Sequence, residues 1–265
     1  MQEKVQRLCE VIKEYDRVAV CLSGGSDSSL VAIAAVKALG RENVVGVTVN
    51  TSFLTGEELD QSAKLCRLLG IVHMAPRAFL LNDDRILKND EKRCYYCKQS
   101  IAKAVWEAAR EKRIRVLLDG SSVQEDGIDA AGERKLRDTI VVSPLIKADI
   151  HKKEIAEMLK FLGMRQFVRP ENACLATRIA LGEPITVKKL RWIRAAENYI
   201  RNLGFDLVRV RVQDGDARVE VEKEMVPKLM EMSEDVIQEL MGMGYKNVEI
   251  DPQGYKNSRC GINVQ

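Results

Sequence analysis

The sequence predicts an α/β protein with two parts, a mostly parallel sheet with helices on both faces and a smaller C-terminal α/β domain that contains an antiparallel hairpin. The first part is indicated by short apolar, β-rich runs that alternate with helical stretches along the chain. The second part is indicated by a change of pattern after residue 185, where two strands are joined by an Asp-Gly turn. We therefore place a domain boundary near residue 180, which gives the ranges 1–180 and 181–265.

The N-terminal part is interpreted as strands and helices in strict alternation. Its predicted strands are short runs of apolar and β-branched residues, and they cover 17–22, 44–50, 71–75, 115–120 and 139–145. Its predicted helices include two that are closed by Gly40 and Gly70, and together they cover 27–39, 56–69, 95–112 and 151–162. Because parallel strands need long crossover connections, this alternation favours a parallel sheet.

The segment 163–185 separates the two parts. It contains two prolines and no clear periodicity, so we interpret it as a linker or an active-site loop. The predicted elements after it are a helix, a hairpin, a second helix and a last strand, and they cover 186–203, 206–212, 217–222, 225–242 and 246–250.

The composition argues against several classes of partner. The chain has 265 residues and 46% hydrophobic content, enough for one good core and a second, smaller one. Its 42 Lys and Arg against 39 Asp and Glu give a net charge of +3, too small to argue for nucleic acid as the main partner. No apolar run approaches the ~18–20 residues of a membrane span, and the N-terminus MQEKVQRLCE is charged rather than signal-like. We therefore expect a cytoplasmic protein with no membrane partner.

The strongest motif, SGGSDSS, follows the first predicted strand. Its members are Ser23, Gly24, Gly25, Ser26, Asp27, Ser28 and Ser29. Small residues let backbone amides approach an anion, and the helix that begins here presents its positive dipole end to that anion. The hydroxyls of Ser23, Ser28 and Ser29 can add donors, while Asp27 suits a Mg²⁺ that a pyrophosphate shares. A serine-rich turn with Asp27 as a helix N-cap is the alternative, but the order strand, motif, helix favours phosphate binding.

This motif resembles the PP-loop of the ATP-pyrophosphatase superfamily, whose enzymes adenylylate an acid, amide or base and release pyrophosphate. It is not a Walker-type loop, because the G-K-[ST] ending is absent. Further matches, which cover nearly the whole chain, narrow the resemblance to the LarE-type ATP-dependent sacrificial sulfur transferases. They are RCYYCK at 93–98, SPL at 143–145, NACLATRI at 172–179, AE at 196–197, RVRV at 209–212, ARVEVE at 217–222 and GY at 254–255.

The resemblance implies a PP-loop ATP pyrophosphatase domain of the adenine nucleotide alpha hydrolase-like type, with the SGGSDSS residues binding ATP phosphates. Thr48 to Asn50 would lie near the nucleoside, and Gly120 and Ser121 near the nucleotide. The chain departs from the family between 120 and 132, where it reads GSSVQEDGIDAAG instead of a G-T-N-x-D-D run followed by R-P-G. The family contacts of this loop are therefore not transferred to the chain.

The cysteines indicate metal or redox chemistry. Seven cysteines in a cytosolic chain are not expected to form a set of structural disulfides. Cys94 and Cys97 have the C-x-x-C spacing that lets two sulfurs face one ion, yet there is no second C-x-x-C to complete a zinc site. A thioredoxin-like pair would occupy the turn after the first strand, where the SGGSDSS motif lies instead. For Cys9, Cys21 and Cys66 we favour a purely structural role, while Cys260 is left unassigned.

The family resemblance adds Cys174 to this pair. In one class of LarE relatives the matching cysteine surrenders its own sulfur, and in another it joins a C-x-x-C pair to hold a 4Fe-4S cluster. Three thiolates on four irons leave one iron open to hydrosulfide, so such a site could deliver sulfur repeatedly. We therefore favour a cluster with bound sulfide at Cys94, Cys97 and Cys174 over a sacrificial Cys174. Arg178 is interpreted either as a cation near the sulfur source or as a surface charge of the loop.

The hairpin sequence VRVRVQDGDARVEVE predicts a phosphate grip. A two-residue turn at 214–215 pairs Arg209 with Glu220 as an ordinary ion pair, and Arg211 with Arg218. Like charges directly opposed are destabilising, and a bound anion would relieve them. Because guanidinium groups suit phosphate, we assign Arg209, Arg211 and Arg218 to the phosphate of a substrate. The AE match also places Glu197 in this set.

Two functions of different classes follow. In the first, the protein adenylylates a small carboxylate with ATP and Mg²⁺ and inserts sulfur. The resemblance names pyridinium-3,5-biscarboxylate mononucleotide, a precursor of the nickel-pincer nucleotide cofactor. In the second, it is a PP-loop tRNA thiolation enzyme with a three-cysteine cluster, which the near-neutral charge and the lack of an RNA-binding module disfavour. A non-catalytic ATP-binding regulator would leave the cysteines unused. The resemblance also implies a homo-oligomer.

Overall fold

The computed structural model describes residues 1–123, the backbone of 133–136, and residues 139–169 and 173–256. In these residues the α-helices are α1 (Gln2–Ile12), α2 (Ser26–Leu39), α3 (Glu57–Leu69), α4 (Asp84–Leu87), α5 (Arg93–Glu111), α6 (Pro144–Lys147), α7 (Ile155–Phe161), α8 (Val187–Asn202), α9 (Val226–Glu231) and α10 (Ser233–Gly242). The strands are β1 (Val18–Cys21), β2 (Val44–Val47), β3 (Val72–Met74), β4 (Val116–Leu118), β5 (Glu133–Leu136), β6 (Thr139–Val142), β7 (Val208–Gln213), β8 (Asp216–Val221) and β9 (Val248–Ile250). None of the described helices is both long and apolar enough to cross a membrane.

The chain divides into two compact units. The first comprises Met1–Asn50, Gly56–Ala78 and Ser100–Asn172. The second comprises Thr51–Thr55, Phe79–Gln99 and Ala173–Gln265. The domain ranges 1–180 and 181–265 stay a prediction.

The first unit contains a sheet with the strand order β3-β2-β1-β4-β6-β5. Five of its strands are parallel, and β5 pairs antiparallel with β6 at one edge. In β1 all residues but Cys21 are buried, and in α2 the buried run is Ser28 to Ala35, with Val20 and Leu30 in one apolar core. This confirms the predicted parallel α/β fold, and the run of apolar residues without alternation in β1 reflects burial on both faces.

The second unit contains a three-stranded sheet with the order β7-β8-β9. Strands β7 and β8 are antiparallel, and β8 and β9 are parallel. Asp214 and Gly215 both have positive φ, 52° and 93°, as a two-residue turn of type I′ requires. The predicted register is confirmed, because Arg209 lies opposite Glu220 and Arg211 opposite Arg218.

Several predicted elements differ from the structure, and α1, α4, α6 and β5 were not predicted. The strand predicted over 139–145 ends at Val142, because Pro144 begins a helix and has no N–H for a sheet ladder. The helix predicted over 225–242 is two helices, α9 and α10, that meet at Met232. The loop predicted over 163–185 contains a 3₁₀ turn at Leu175–Arg178, whose preceding residue is Cys174.

Candidate functional site

The turn between β1 and α2 presents a helix N-terminus to the carboxyl edge of the first unit's sheet. Gly24 has a φ of +77°, and Gly25 is the N-cap residue of α2. No described side chain caps α2, so the first-turn N–H groups are oriented as donors for an anion. This is the geometry that the SGGSDSS motif predicts.

Two glycines let other backbone segments approach this turn closely. A Cβ on Gly24 would lie 2.6 Å from Glu58 Cα, and a Cβ on Gly120 would lie 2.9 Å from the backbone nitrogen of Ser28. No side chain fits at either distance. The turn is therefore held between α3 and the residues that follow β4, and Gly120 needs to be glycine for α2 to begin where it does.

The other predicted nucleotide residues lie at the same edge of this sheet. Thr48 and Asn50 follow β2, and Gly120 and Ser121 follow β4, the two strands that flank β1. The carboxyl ends of parallel strands beside a change in strand order are the usual place for a ligand in open α/β sheets. The buried Thr48 hydroxyl lies 2.9 Å from His73 Nε2, and burial lowers the pKa of His73, assisted by the positive charge of Arg67.

The carboxylate of Asp27, predicted to hold Mg²⁺, forms an ion pair with Lys152. The Lys152 Nζ donates to both carboxylate oxygens, at 2.8 and 2.6 Å. Sequence reasoning missed Lys152, which follows SPL by seven positions and had only the lysine pair HKKE as a signal. A metal ion shared with pyrophosphate would therefore replace an existing cation at Asp27.

Two serines of the motif support the loop itself. The Ser29 hydroxyl donates to Gly25 O at 2.8 Å, and the Ser28 hydroxyl contacts Gly25 O and Ser23 Oγ at 3.2 and 3.1 Å. The Ser26 hydroxyl exchanges hydrogen bonds with the backbone of Arg169. The Ser29 hydroxyl proton is used inside the loop, so its donation to a phosphate stays a prediction, and the backbone amides at the start of α2 are available as donors.

In the second unit, Cys94 and Cys97 lie in the first turn of α5. Asp90 begins this turn: its carboxylate accepts from the Lys92 N–H at 2.8 Å, and its carbonyl accepts from the Arg93 N–H at 3.0 Å. Residues three apart share one face of a helix, so both thiols point from the same side of α5. Both side chains are half-buried.

Cys174 precedes the 3₁₀ turn at Leu175–Arg178. Its carbonyl accepts from the backbone N–H and the hydroxyl of Thr177, at 3.0 and 2.8 Å. The next N–H, that of Leu175, donates to Phe53 O at 2.8 Å. The peptide group that follows Cys174 is therefore fixed by hydrogen bonds at both its carbonyl and its N–H.

The structure brings the three predicted cysteines together as neighbours. The pKa of the Cys97 thiol is raised to about 12, mainly by burial and then by the charges of Cys174 and Cys94, so the three thiols lie near enough to interact. Burial also raises the pKa of Cys174, while the positive charge of Arg93 opposes that rise. Nevertheless, no three His, Cys, Asp or Glu side chains in the described part of the chain are arranged to hold a metal ion.

Arg178 is fully buried, so the interpretation as a surface charge is wrong. Its Nε donates to Glu197 Oε1 at 2.7 Å, and its Nη1 donates to Ala173 O and Cys174 O at 2.6 and 3.2 Å. Arg178 therefore holds the backbone at Cys174 and has no need of an external anion. Its guanidinium is a positioning group for the cysteine.

Glu197, predicted with the phosphate residues, is a buried acceptor. Besides Arg178, its carboxylate accepts from Arg201 Nη2 at 2.8 Å and from the Val210 N–H at 3.2 Å. The carboxylate of Glu197 is thus occupied by donors of the protein itself, and its assignment to a phosphate contact stays a prediction. It joins α8 to β7 and to the Cys174 turn.

The arginines of the hairpin have internal partners, which removes the reason given for an anion between Arg211 and Arg218. Arg211 Nε donates to both oxygens of Glu220 at 3.1 and 3.2 Å, and its Nη1 donates to Thr177 O at 3.0 Å. Arg218 Nε donates to Glu249 Oε1 at 2.6 Å. The opposed guanidinium groups are thus neutralised by carboxylates of β8 and β9.

Arg209 is the buried member of this set. Its guanidinium carbon lies 5.3 Å from the ring centroid of Tyr255, and its Nη1 donates to Val208 O at 2.8 Å. Burial, followed by the charge of Arg178, lowers the pKa of Arg209. Glu220, which lies opposite Arg209, accepts from Arg211, so the expected Arg209–Glu220 ion pair stays a prediction.

The remaining cysteine predictions concern packing. Cys9 and Cys66 are buried among apolar side chains, and burial raises the pKa of Cys66 to about 12. Both therefore fit the structural role that was predicted. Cys260 and the altered run at 124–132 lie outside the described residues.

Comparisons with known proteins agree with this arrangement. A family model described as NAD synthase matches residues 1–94, which include β1, the SGGSDSS turn and β2. An uncharacterised protein of Synechocystis sp. is 31% identical over 98% of this chain and 97% of its own length. A pyridinium-3,5-bisthiocarboxylic acid mononucleotide synthase of Lactiplantibacillus plantarum is 28% identical over 97% of this chain and 93% of its own length.

A third relative covers a smaller share of the chain. One of the subunits of the glutamine-hydrolysing GMP synthase of Pyrococcus abyssi is 29% identical over 74% of this chain and 67% of its own length. The two matches that cover the whole length include the cysteine turns and the hairpin as well as the SGGSDSS turn. The chain therefore belongs to the LarE-type family of PP-loop proteins, which are ATP-using enzymes.

Proposed function

We propose that this protein is an ATP-dependent sulfur transferase that converts a substrate carboxylate to a thiocarboxylate. The proposed substrate is pyridinium-3,5-biscarboxylate mononucleotide, whose bisthiocarboxylic product is named in the synthase of Lactiplantibacillus plantarum. The proposal places the protein in the biosynthesis of the nickel-pincer nucleotide cofactor, in the cytoplasm. We also propose that it works as a homo-oligomer.

The first step is the activation of the carboxylate. A carboxylate oxygen attacks the α-phosphorus of ATP, the bond to the bridging oxygen breaks, and pyrophosphate leaves with its electron pair. The amide groups at the N-terminus of α2 suit the negative charge of that leaving group, and Mg²⁺ at Asp27 would neutralise more of it. Lys152 balances the charge of Asp27 when the metal is absent.

The second step is the transfer of sulfur. A hydrosulfide ion attacks the acyl carbon, the bond from that carbon to the AMP oxygen breaks, and AMP leaves with the bonding electrons. The thiocarboxylic acid that forms loses its proton and remains as the thiocarboxylate. The thiols of Cys94, Cys97 and Cys174 fit a 4Fe-4S cluster by donor type and number, since three soft ligands are neighbours. When bound, the cluster would supply an iron without a protein ligand, on which a sulfide is carried.

The observation that carries the proposal is the meeting of three thiols from distant parts of the sequence. Cys174 is 77 positions after Cys97, and yet its charge raises the pKa of Cys97 within one compact unit. A cysteine that served only for packing would not need two other thiols and a buried guanidinium beside it. The sacrificial alternative, in which Cys174 loses its own sulfur, needs only one thiol and leaves Cys94 and Cys97 without a purpose.

The arginines of the hairpin remain our proposal for the substrate phosphate, with a changed ranking. Arg209 is the best candidate because it is buried beside other guanidinium groups, an arrangement that an anion would stabilise. Arg211 and Arg218 already donate to carboxylates, so each would have to divide its N–H donors between its carboxylate partner and the phosphate.

The test is anaerobic purification followed by iron and acid-labile sulfide analysis. We expect a brown protein with about four irons per chain, and loss of the colour in each of Cys94→Ala, Cys97→Ala and Cys174→Ala. Cys66→Ala is the matched control, because this buried cysteine lies in the core of the other unit. A colourless protein whose Cys174 loses the mass of one sulfur during turnover would contradict the cluster proposal and favour the sacrificial route.

The substrate is tested separately by pyrophosphate release. We expect release to depend on both ATP and the biscarboxylate mononucleotide, and to be slower with pyridine carboxylates that lack the phosphate. Equal release without any carboxylate would argue against adenylylation of this substrate.

A further inference from the structure

Two side chains that no motif includes connect the C-x-x-C turn to the Cys174 turn. Asn89 lies four positions before Arg93, and the Arg93 Nη1 donates to both Asn89 Oδ1 and Ala176 O, the latter at 3.1 Å. Ala176 belongs to the 3₁₀ turn that follows Cys174. One guanidinium therefore joins the helix that carries two of the thiols to the turn that carries the third.

Asn89 is fully buried and holds the segment that follows the Cys174 turn. Its Nδ2 donates to Ala180 O and Glu183 O at 2.8 and 2.9 Å, and its backbone carbonyl accepts from the Gly182 N–H at 2.9 Å. Its φ of +56° lies in the left-handed region, which asparagine tolerates better than most residues. This side chain uses its donors and its acceptor at once, and replacement by an apolar residue would leave several buried carbonyls without a partner.

Arg93 is buried to 4% exposure, although a guanidinium is costly to remove from water. Its Nη2 lies 3.5 Å from the sulfur of Cys94. A helix that merely needed to pack against the Cys174 turn could use a leucine here. A planar group that contacts an amide oxygen, a carbonyl and a thiol in fixed directions instead sets the distance and angle between the turns.

We propose that Asn89 and Arg93 form a positioning clamp, which keeps the Cys174 turn within reach of Cys94 and Cys97 so that three sulfurs can bind one thiophilic centre. Arg93 joins the two turns that carry the thiols, while the described residues contain no ready metal-binding set, so loading requires the thiol side chains to turn toward a common point. The clamp holds the backbone of both turns during that movement. The purpose of the clamp rests on the proposed function, while its geometry does not.

Arsenite tests the clamp without iron, ATP or substrate. Arsenious acid condenses with three thiols, forming three As–S bonds and releasing three water molecules, with no change in oxidation state. Phenylarsine oxide can form only two such bonds, and in Cys174→Ser, which lacks the third thiol, it reports the Cys94–Cys97 pair. Binding of both reagents to the whole chain is followed by the sulfur-to-arsenic absorption, with Cys174→Ser as the two-thiol reference.

We expect Arg93→Met and Asn89→Gly to bind arsenite about tenfold or more weakly than the wild type, close to Cys174→Ser. Glycine tolerates the positive φ of residue 89, so the variant removes the side-chain carboxamide without adding backbone strain. Binding of phenylarsine oxide should stay at the wild-type level in both variants, which also shows that the C-x-x-C turn is folded. Lys92→Met, which removes a neighbouring exposed positive charge, should leave both affinities unchanged.

Arg93→Lys separates position from charge. Lysine keeps the charge but lacks the planar fork, so we expect arsenite binding to remain weak. Wild-type arsenite affinity in Arg93→Lys would mean that charge alone matters, and wild-type affinity in Arg93→Met and Asn89→Gly would overturn the clamp. Weak binding of phenylarsine oxide in both Arg93→Met and Asn89→Gly would mean that these variants are misfolded near the C-x-x-C pair. That result would also contradict the clamp. A wild-type protein that binds arsenite in an Arg93-dependent manner but transfers no sulfur would refute the proposed function and leave the clamp standing.

Discussion

At the scale of single residues, buried charges determine the shape of the cysteine site. Arg178 and Glu197 have almost no exposed side-chain surface, whereas Arg218 and Glu249 keep more than half of theirs. A buried pair that loses one member leaves an uncompensated charge in a medium of low polarity. An Arg–Glu ion pair therefore contributes differently to the stability of the protein when it is buried and when it is exposed.

Arg178→Met should destabilise the protein by about 3 kcal/mol or more, because Glu197 loses its most direct partner inside the protein. Arg218→Met is the matched control and should cost less than about 1 kcal/mol, since its ion pair is exposed. Urea unfolding of the two variants and the wild type measures the difference. Equal midpoints for both variants would show that burial of Arg178 has no energetic consequence.

His73 gives the stability of the protein a dependence on pH. Its pKa in the folded protein lies below the ordinary value of 6.5, mainly through burial. As the pH falls below that value, the unfolded chain binds the proton first, so stability is lost until the folded pKa is passed. We expect His73→Gln to lose less unfolding free energy than the wild type between about pH 7.5 and about pH 5.5. An identical loss in both proteins would contradict the assignment.

The residues that sequence reasoning missed share one property, which is that their role depends on partners far along the chain. Asn89 sits in the polar run LKNDEK, which carries no periodic signal, and it is buried only because residues 179–183 return to it. The burial of Arg178 likewise depends on Glu197, from a helix 19 positions later. By contrast, SGGSDSS and C-x-x-C were visible because their geometry is local.

At the scale of elements, local chemistry determined how well each prediction performed. The register of the β7–β8 hairpin follows from strict alternation and a turn that needs two residues with positive φ. The ion pairs of that hairpin do not follow from register, since Arg211 pairs diagonally with Glu220 and Arg218 pairs with β9. The third strand, which supplies Glu249, decides which charges are balanced.

The close approach at Gly24 can be tested against a glycine with the same backbone strain. Gly24 and Gly163 have φ values of +77° and +73°, but only at Gly24 would a Cβ meet another backbone, whereas at Gly163 nothing lies within 4 Å. We expect Gly163→Ala to cost about 1–2 kcal/mol from strain and Gly24→Ala to cost about 1–3 kcal/mol more from overpacking.

Thermal and urea unfolding of these two variants provide the measurement, and nucleotide binding provides a second one. Gly24→Ala should also weaken ATP binding, because Glu58 must move away from the turn or the turn must open. Equal free energies of unfolding for the two alanine variants would mean that α3 can move away from residue 24 without loss of stability.

At the scale of the whole molecule, each compact unit contains one of the two candidate sites. The parallel sheet and the order of its helices could be predicted because the strands are short apolar runs in a regular alternation. The composition of the units could not be predicted, since Thr51–Thr55 and Phe79–Gln99 group with the C-terminal part. Hydrogen bonds such as that from the Leu175 N–H to Phe53 O create this grouping, and they leave no pattern in the sequence.

The charge of the whole chain leads to a prediction about RNA. With a net charge of +3, we expect no saturable binding of bulk tRNA at low salt and no steep dependence of binding on salt concentration. Filter binding over a salt series measures this. Tight binding that falls steeply with salt would revive the tRNA thiolation alternative.

The carboxylate of Glu197 also limits how this protein can change in evolution. It accepts from Arg178, Arg201 and the backbone of β7, so a substitution at any one of these side chains alters the charge balance felt by the others. A drift to a neutral residue at 197 would be tolerated only after, or together with, the loss of a positive charge at 178 or 201. Positions 178, 197 and 201 are therefore expected to change together among descendants of this sequence. If only one of these residues were exchanged between two relatives that differ there, both proteins would be destabilised.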